Sequence, residues 1–230
     1  MSPTRLALAV LATLGLMAPA AFAHAIGGAD AEFVRNTVGA DPFPFLYLGA
    51  KHMVTGYDHL AFLVGVIFFL YRLRDVLIYV TLFSLGHSTT LLLGVLADLN
   101  VSAYLVDAVI GLSVCYKAFD NLGGFKRLGY QPDNRVAVGG FGLIHGLGLA
   151  TKLQELGLNE DGLVANLIAF NVGVEIGQLI ALSIIVLAIS AWRTTQSFGR
   201  LAVAANALLF FFGVILTGEQ LAGYFLAGDA

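Results

Sequence analysis

Long apolar stretches separated by short polar segments dominate the chain from about residue 46 onward. Hydropathy predicts six membrane-spanning helices, near 46–71, 76–97, 101–121, 136–156, 163–191 and 201–226. Hydrophobic residues make up 58% of the 230 residues and charged residues 12%, about half the charged fraction of a soluble domain. We therefore expect an all-α, polytopic membrane protein embedded in the lipid bilayer. A soluble enzyme is excluded, and a net charge of −3 gives no reason to expect nucleic acid as a partner.

The first 23 residues have the pattern of a cleavable signal peptide. One positive charge, Arg5, precedes an apolar stretch, and Ala21-Phe22-Ala23 has the small-x-small form of a cleavage site. An uncleaved first span is the alternative, because 6–22 approaches spanning length. Cleavage would leave His24 as the new amino terminus, where its α-amine and imidazole form a possible chelate for an external metal ion. The predicted organisation is a signal peptide at 1–23, a short periplasmic segment at 24–45 and a six-helix transmembrane domain at 46–230.

Positive charges are distributed unevenly between the two sides that this layout defines. With the mature amino terminus outside, eight Lys and Arg residues fall on the cytoplasmic side and three on the outer side. This distribution satisfies the positive-inside rule. It predicts a multi-pass protein of the cytoplasmic (inner) membrane with both mature termini in the periplasm. The inner loop at 121–135 is a candidate boundary between two three-span halves.

Several ionisable side chains lie inside the predicted spans, where a charged group costs at least ~2.5–3.5 kcal/mol on insertion scales. Four of them, on four different spans, fall within about one helical turn of their span centres: His59, His87, His145 and Glu175. Such groups normally face partners or water and mark a pathway or a site. Because packing alone does not require four costly residues at one depth, we expect them to converge on one polar site.

The first span carries the densest cluster of these groups. His52 and His59 are seven residues apart, which places them on nearly one face of a continuous helix, two turns apart. Asp58 is offset from His59 by about 100° and could either ligate a metal ion or orient a neighbouring imidazole.

Further polar groups accompany the predicted ligands. On the fifth span, Asn171, Glu175 and Gln178 follow i, i+4, i+7 spacing and form a polar stripe. Ser88 follows the second-span histidine, and Asp107 lies on the third span. Taken singly, each is also explained as a hydrogen-bonded packing residue or a hydrated group. Glycines around the fourth-span histidine predict close helix packing.

Four blocks of sequence occur in order along the chain: HMVTGYDH at 52–59, LFSLGHSTTL at 82–91, GLIHGLGLA at 142–150 and FNVGVEIGQL at 170–179. Together they resemble the recurring blocks of the HupE/UreJ family of nickel/cobalt transporters, membrane accessory proteins of hydrogenase and urease systems. The fourth-span block departs from the His-Gly-x-Ala-x-Gly-x-Glu form of some members. No metal-ligating glutamate is therefore carried over from that block.

The resemblance implies a secondary carrier or facilitator that moves a divalent metal ion inward. The ion, Ni²⁺ or Co²⁺ with Zn²⁺ or Fe²⁺ as alternatives, is its substrate rather than a fixed cofactor. Imidazole and carboxylate ligands suit these ions, and the scarcity of Cys and Met in the spans disfavours Cu(I). The phosphate-binding motif Gly-x-x-x-x-Gly-Lys-[Ser/Thr] is absent, so this sequence itself indicates no ATP drive. The predicted metal ligands are His52, Asp58, His59, His87, His145 and Glu175, supported by Ser88, Asp107, Asn171 and Gln178.

Two other functions stay open on the residues alone. Three histidines with Asp58 as base could hold Zn²⁺ in an intramembrane hydrolase, in which Ser84 lies one turn from His87. A metal-binding accessory or sensor protein without transport would use the same residues. A homo-oligomer and a functional link to metalloenzyme maturation are compatible with the transporter and accessory interpretations. Metal flux into sealed vesicles, set against lipid turnover in detergent, discriminates transport from hydrolysis.

Overall fold

The computed structural model describes residues 29–99 and 101–227. Every regular element within these ranges is a helix, as predicted. The helices are α1 (Ala29–Asn36), α2 (Pro42–Thr55), α3 (Tyr57–Ile67), α4 (Leu73–Leu96), α5 (Ala103–Asn121), α6 (Gly124–Arg127), α7 (Asn134–Glu155), α8 (Leu163–Arg193) and α9 (Gln196–Ala227). The predicted signal peptide, 1–23, and the predicted chelating residue His24 lie outside the described residues.

Four of the described helices, α4, α7, α8 and α9, are long and apolar enough to cross a membrane. Helix α3 is a shorter apolar helix. Helix α5 covers the third predicted span but carries Asp107, Lys117 and Asp120 within its 19 residues, and it is not among the four. The chain is therefore a helical membrane protein, and the full set of six spans stays a prediction.

The first predicted span, 46–71, consists of two helices rather than one. Gly56 lies between α2 and α3 with φ −74° and ψ 93°, outside the helical region. Its amide donates to the carbonyl of His52 (2.8 Å), and its carbonyl accepts from the amide of Leu60 (3.0 Å). Gly56 thus closes one helix and opens the next, at a residue type that weakens helices by about 1 kcal/mol relative to alanine. The expectation that His52 and His59 share one face of a continuous helix is wrong, because they lie on consecutive helices.

The chain forms two compact units. Among the described residues, the first contains those up to Leu60 together with Leu156–Ala202, and in it α2 packs along α8. The second contains the described residues of 61–155 together with 203–227, and in it α7 packs against α4 and α5. The loop at 121–135 lies within the second unit. The expected boundary between three-span halves at this loop is therefore wrong, because α4 before the loop packs against α7 after it.

Glycines bring α2 and α8 into backbone contact in the first unit. A Cβ added to Gly49 on α2 would meet the backbone of Phe170 on α8. A Cβ added to Gly173 on α8 would in turn meet the backbone of Leu46 on α2. Small residues allow such close approach between helices in a membrane. Because both helices contribute a glycine, their register is fixed from both sides.

In the second unit, glycines likewise bring α4 and α7 into backbone contact. A Cβ added to Gly86 would lie 2.6 Å from the carbonyl oxygen of Gly139. A Cβ added to Gly142 would lie 3.0 Å from the Cα of Phe83. This confirms the prediction of close helix packing for Gly142, whereas Gly140 of the same span has open space around an added Cβ.

Candidate metal-binding residues

Asp58 and His59, at the start of α3, form a carboxylate–imidazole pair. Oδ1 of Asp58 lies 2.9 Å from Nδ1 of His59 and also accepts a hydrogen bond from the backbone amide of His59 (2.8 Å). A carboxylate acceptor at Nδ1 places the proton of a neutral imidazole on that nitrogen and leaves the lone pair on Nε2. Of the two roles that the sequence left open for Asp58, the structure therefore supports orientation of the histidine.

His52, near the end of α2, lies beside this pair. The ring centroids of His52 and His59 are 5.2 Å apart in an edge-on arrangement, and each ring is 3% exposed. One nitrogen of each ring can act as a ligand atom, and these two atoms lie within 4.8 Å of one another. Phe170 of α8 packs against His52 with ring centroids 6.1 Å apart. The helix break at Gly56, rather than the predicted shared helix face, brings the two rings together, and their role as metal ligands stays a prediction.

The break at Gly56 is built tightly around this group. A Cβ added to Gly56 would lie 3.3 Å from Nδ1 of His59 and 3.4 Å from Oδ1 of Asp58. The same Cβ would lie 3.0 Å from the carbonyl oxygen of His52. A side chain at this position would press on the hydrogen bond that orients His59. Sequence reasoning did not assign Gly56 a role, although its place between the two histidines was a usable signal.

The second unit holds the next two predicted ligands on helices that pack together, His87 on α4 and His145 on α7. His87 is 1% exposed and His145 is 0% exposed. Phe83 lies next to both, with ring centroids 6.1 Å from His87 and 5.1 Å from His145. Both histidines are therefore in a dry, aromatic environment, where imidazole requires a hydrogen-bond partner.

Ser113 on α5 is a partner of His145. Its Oγ lies 3.1 Å from Nε2 of His145 and donates a hydrogen bond to the carbonyl of Ile110 (2.6 Å). Sequence reasoning missed Ser113, because a single serine in an apolar helix gives no signal that sets it apart from a packing residue.

The polar stripe predicted on the fifth span lies on α8. Gln178 is 1% exposed, whereas Glu175 and Asn171 are half-buried. Oδ1 of Asn171 is buried and has no hydrogen-bond partner among the described residues. The stripe follows Phe170, which contacts His52, along the same helix. The role of Glu175 as a ligand and of the other two residues as supporting polar groups stays a prediction.

The other two supporting residues have different surroundings. Asp107 on α5 forms an ion pair with Lys152 on α7 (2.8 Å), and their side chains are 11% and 26% exposed. This pair neutralises Asp107 and ties the two helices, which accounts for an acid at this position without a metal ion. Ser88, directly after His87 on α4, is half-buried.

Two further polar anchors were not predicted. The buried side chain of Asn166, on α8, accepts from the amide of Asp41 (2.7 Å) and donates to the carbonyl of Gly39 (3.0 Å). In the second unit, buried Lys117 pairs with Asp120 (2.5 Å) on the same helix. The first fastens the segment before α2 to α8, and the second neutralises a lysine inside the bundle.

These features define a helical membrane protein with oriented histidines inside its helices. The family model described as HupE / UreJ protein matches residues 29–228, and the chain belongs to this family. The match confirms the resemblance in the sequence blocks. The family is associated with nickel/cobalt uptake or metalloenzyme maturation and comprises transporters and accessory proteins rather than known enzymes. The chain matches no curated protein and no solved structure.

Proposed function

We propose that this protein is a secondary transporter or facilitator that moves a divalent transition-metal ion, Ni²⁺ or Co²⁺, across the cytoplasmic membrane into the cell. The observation that carries the proposal is the arrangement of Asp58, His59 and His52. Two buried imidazoles lie side by side, and one of them is oriented by a carboxylate. Metal-ligating histidines in proteins are typically held in this way.

The chemistry of this group suits the proposed ions. With Nδ1 of His59 bound to Asp58, Nε2 is the ligand atom, and the carboxylate fixes the tautomer and the orientation of the ring. His52 supplies a second nitrogen within 4.8 Å of the first. Imidazole binds Ni²⁺, Co²⁺ and Zn²⁺ well, and a small set of such ligands binds a partly dehydrated ion without trapping it.

The remaining predicted ligands have a place in the same proposal. His87 and His145 in the second unit, and Glu175 on α8, are assigned to the same cargo. Their burial inside helices of a membrane protein is costly, and in this proposal their interaction with the ion explains that cost. Ser88, Asn171 and Gln178 are assigned as polar groups that assist the ion along its path.

The membrane potential is the proposed driving force. An inside-negative potential favours inward movement of a doubly charged ion by about 4.6 kcal/mol per 100 mV. The proposed orientation, with both mature termini in the periplasm, follows from the distribution of positive charges in the sequence.

The hydrolase alternative is disfavoured by the geometry of Asp58. Its Oδ1 already accepts from the backbone amide and from Nδ1 of His59, which leaves only Oδ2 for action as a general base. An accessory protein that binds the metal ion without moving it would need the same ligands. A measurement of metal flux therefore distinguishes a transporter from an accessory protein, whereas a measurement of metal affinity does not.

The test is uptake into sealed vesicles that contain the purified protein. Vesicles are held at an inside-negative potential, Ni²⁺, Co²⁺, Zn²⁺ or Fe²⁺ is added outside, and trapped metal is measured by elemental analysis. We expect Ni²⁺ or Co²⁺ to accumulate, with collapse of the potential or the change His59→Ala reducing the rate. Metal binding in detergent without uptake would overturn the transporter proposal in favour of an accessory role, and turnover of lipid by the Zn²⁺-loaded protein would favour the hydrolase.

A further inference from the structure

The hydroxyl of Ser113 makes two contacts, and only one of them can use its proton. Oγ lies 2.6 Å from the carbonyl oxygen of Ile110, which can only accept a hydrogen bond. Oγ also lies 3.1 Å from Nε2 of His145. Both Ser113 and His145 are 0% exposed, so bulk water does not compete at either side chain.

The direction of these bonds fixes the tautomer of His145. A hydroxyl has one proton, and Ser113 donates it to the carbonyl one turn back along its own helix. Its oxygen therefore accepts from His145, and Nε2 carries the proton. Because a neutral imidazole has a single N–H, the lone pair of His145 is on Nδ1.

We propose that Ser113 is a positioning residue that holds His145 in the Nε2–H tautomer and so presents Nδ1 to the metal ion. The assignment of the ion as the species that meets Nδ1 rests on the proposed function. The tautomer itself rests on the hydrogen bonds alone.

The two units then present histidines of opposite tautomers. His59 has its proton on Nδ1, bound to Asp58, and offers Nε2. His145 has its proton on Nε2, bound to Ser113, and offers Nδ1. Nδ1 is the ring nitrogen closer to the main chain, so a ligated ion lies nearer to the backbone at His145 than at His59. A charged carboxylate makes one imidazole a stronger donor to metal than the neutral hydroxyl makes the other.

The test is ¹⁵N NMR of the metal-free, histidine-labelled protein in detergent at alkaline pH, where the imidazoles are neutral. The signal of His145 is identified by its loss in His145→Ala. We expect the wild-type protein to show the Nε2–H tautomer at this residue. Ser113→Ala should convert it to a mixture of tautomers, and Ser113→Thr, which keeps a hydroxyl, should restore it. An Nδ1–H tautomer in the wild type, or an unchanged tautomer in Ser113→Ala, would overturn the proposal.

Ser183→Ala is the matched control. Ser183 also donates to a carbonyl of its own helix, that of Leu179 (2.6 Å), and it is exposed to the surroundings of α8. Its loss should leave the His145 signal unchanged. A change as large as that in Ser113→Ala would show that the effect is a general response to the loss of a helix hydroxyl, which contradicts the proposal.

A second measurement separates positioning from transport. In the vesicle assay, Ser113→Ala should raise the concentration of Ni²⁺ or Co²⁺ needed for half-maximal uptake by about 10–100-fold, the usual effect of losing a group that orients a ligand. Ser113→Thr should recover most of it. A changed tautomer with unchanged uptake would overturn the role toward the metal ion. No uptake by the wild-type protein would overturn the proposed function while the NMR result still decides the tautomer.

Discussion

Oδ1 of Asp58 accepts two hydrogen bonds from the next residue, His59: one from its backbone amide at 2.8 Å and one from its Nδ1 at 2.9 Å. The bond from the amide holds the carboxylate at the first turn of α3. The bond from Nδ1 then fixes the orientation of the imidazole relative to that carboxylate. Two hydrogen bonds between neighbouring residues thus orient the His59 imidazole.

The change Asp58→Asn tests this pair. It keeps the shape and one acceptor oxygen but removes the negative charge that makes His59 a strong donor to metal. We expect uptake or metal affinity to fall about 10–100-fold at an equal amount of folded protein. Asp161→Asn, at an exposed carboxylate, serves as the control and should transport normally. Normal accumulation by Asp58→Asn at matched expression would contradict a functional role for this cluster.

Gly56→Ala should impair transport by displacing the His59 ring. The backbone at Gly56 has φ −74°, which alanine tolerates, but the added Cβ would lie 3.3 Å from Nδ1 of His59. Alanine also favours a continuous helix by about 1 kcal/mol, which would draw α2 and α3 into line. We expect uptake to fall several-fold, measured in vesicles that contain equal amounts of folded protein.

Gly199→Ala is the comparison for that experiment. Gly199 is helical, on α9, and a Cβ there has open space around it. Its uptake should equal that of the wild type. Equal uptake by Gly56→Ala as well would show that the hydrogen bond to His59 does not depend on a glycine at the break.

Gly142→Ala should lower stability through overpacking where α4 crosses α7. The added Cβ would meet the backbone of Phe83, with the Cα at 3.0 Å, so the two helices would have to move apart. Overpacking of this kind costs about 1–3 kcal/mol, which should appear as a lower unfolding midpoint in detergent. Gly140→Ala, two residues away on α7, has open space and should be neutral or stabilising. Similar midpoints for the two variants would contradict the packing assigned to this crossing.

The orientation in the membrane is tested at the loop between α5 and α7. A variant with Cys115 replaced by alanine and Leu128, which is 72% exposed, replaced by cysteine carries a single accessible thiol. If the loop is cytoplasmic, an impermeant maleimide added to intact cells should label it only after the membrane is permeabilised. Labelling from outside would invert the proposed topology.

The sequence predicted the helices well because hydropathy and helix length depend on local composition. The expected span at 163–191 is α8, Leu163–Arg193, and the span at 76–97 is α4, Leu73–Leu96. The break at Gly56 was missed because the apolar pattern continues across it. A single glycine within a span indicates close packing as readily as a break, and only the surrounding contacts decide which applies.

The candidate site was predictable in residue type but not in hydrogen bonding. Asp58 and His59 are adjacent in sequence, so the orientation of an imidazole by Asp58 was one of the two roles that the sequence predicted for this residue. Ser113 and His145 are 32 residues apart, and no spacing rule connects them. The direction of the Ser113–His145 hydrogen bond, and so the tautomer of His145, depends on the Ser113 hydroxyl donating to the carbonyl of Ile110. That contact exists only in the folded helix.

Because the helix is interrupted at Gly56, the distance between His52 and His59 is not fixed by a continuous helix. Two ligands on one continuous helix keep a constant separation, because the helix fixes every atom between them. His52 and His59 instead lie on opposite sides of an extended residue, so a small bend there changes their separation while each helix stays intact. In the proposed transport, an ion bound by both nitrogens is held at one bend angle and released at another. We propose that capture and release at this pair use rotation about one glycine, without unwinding any long helix.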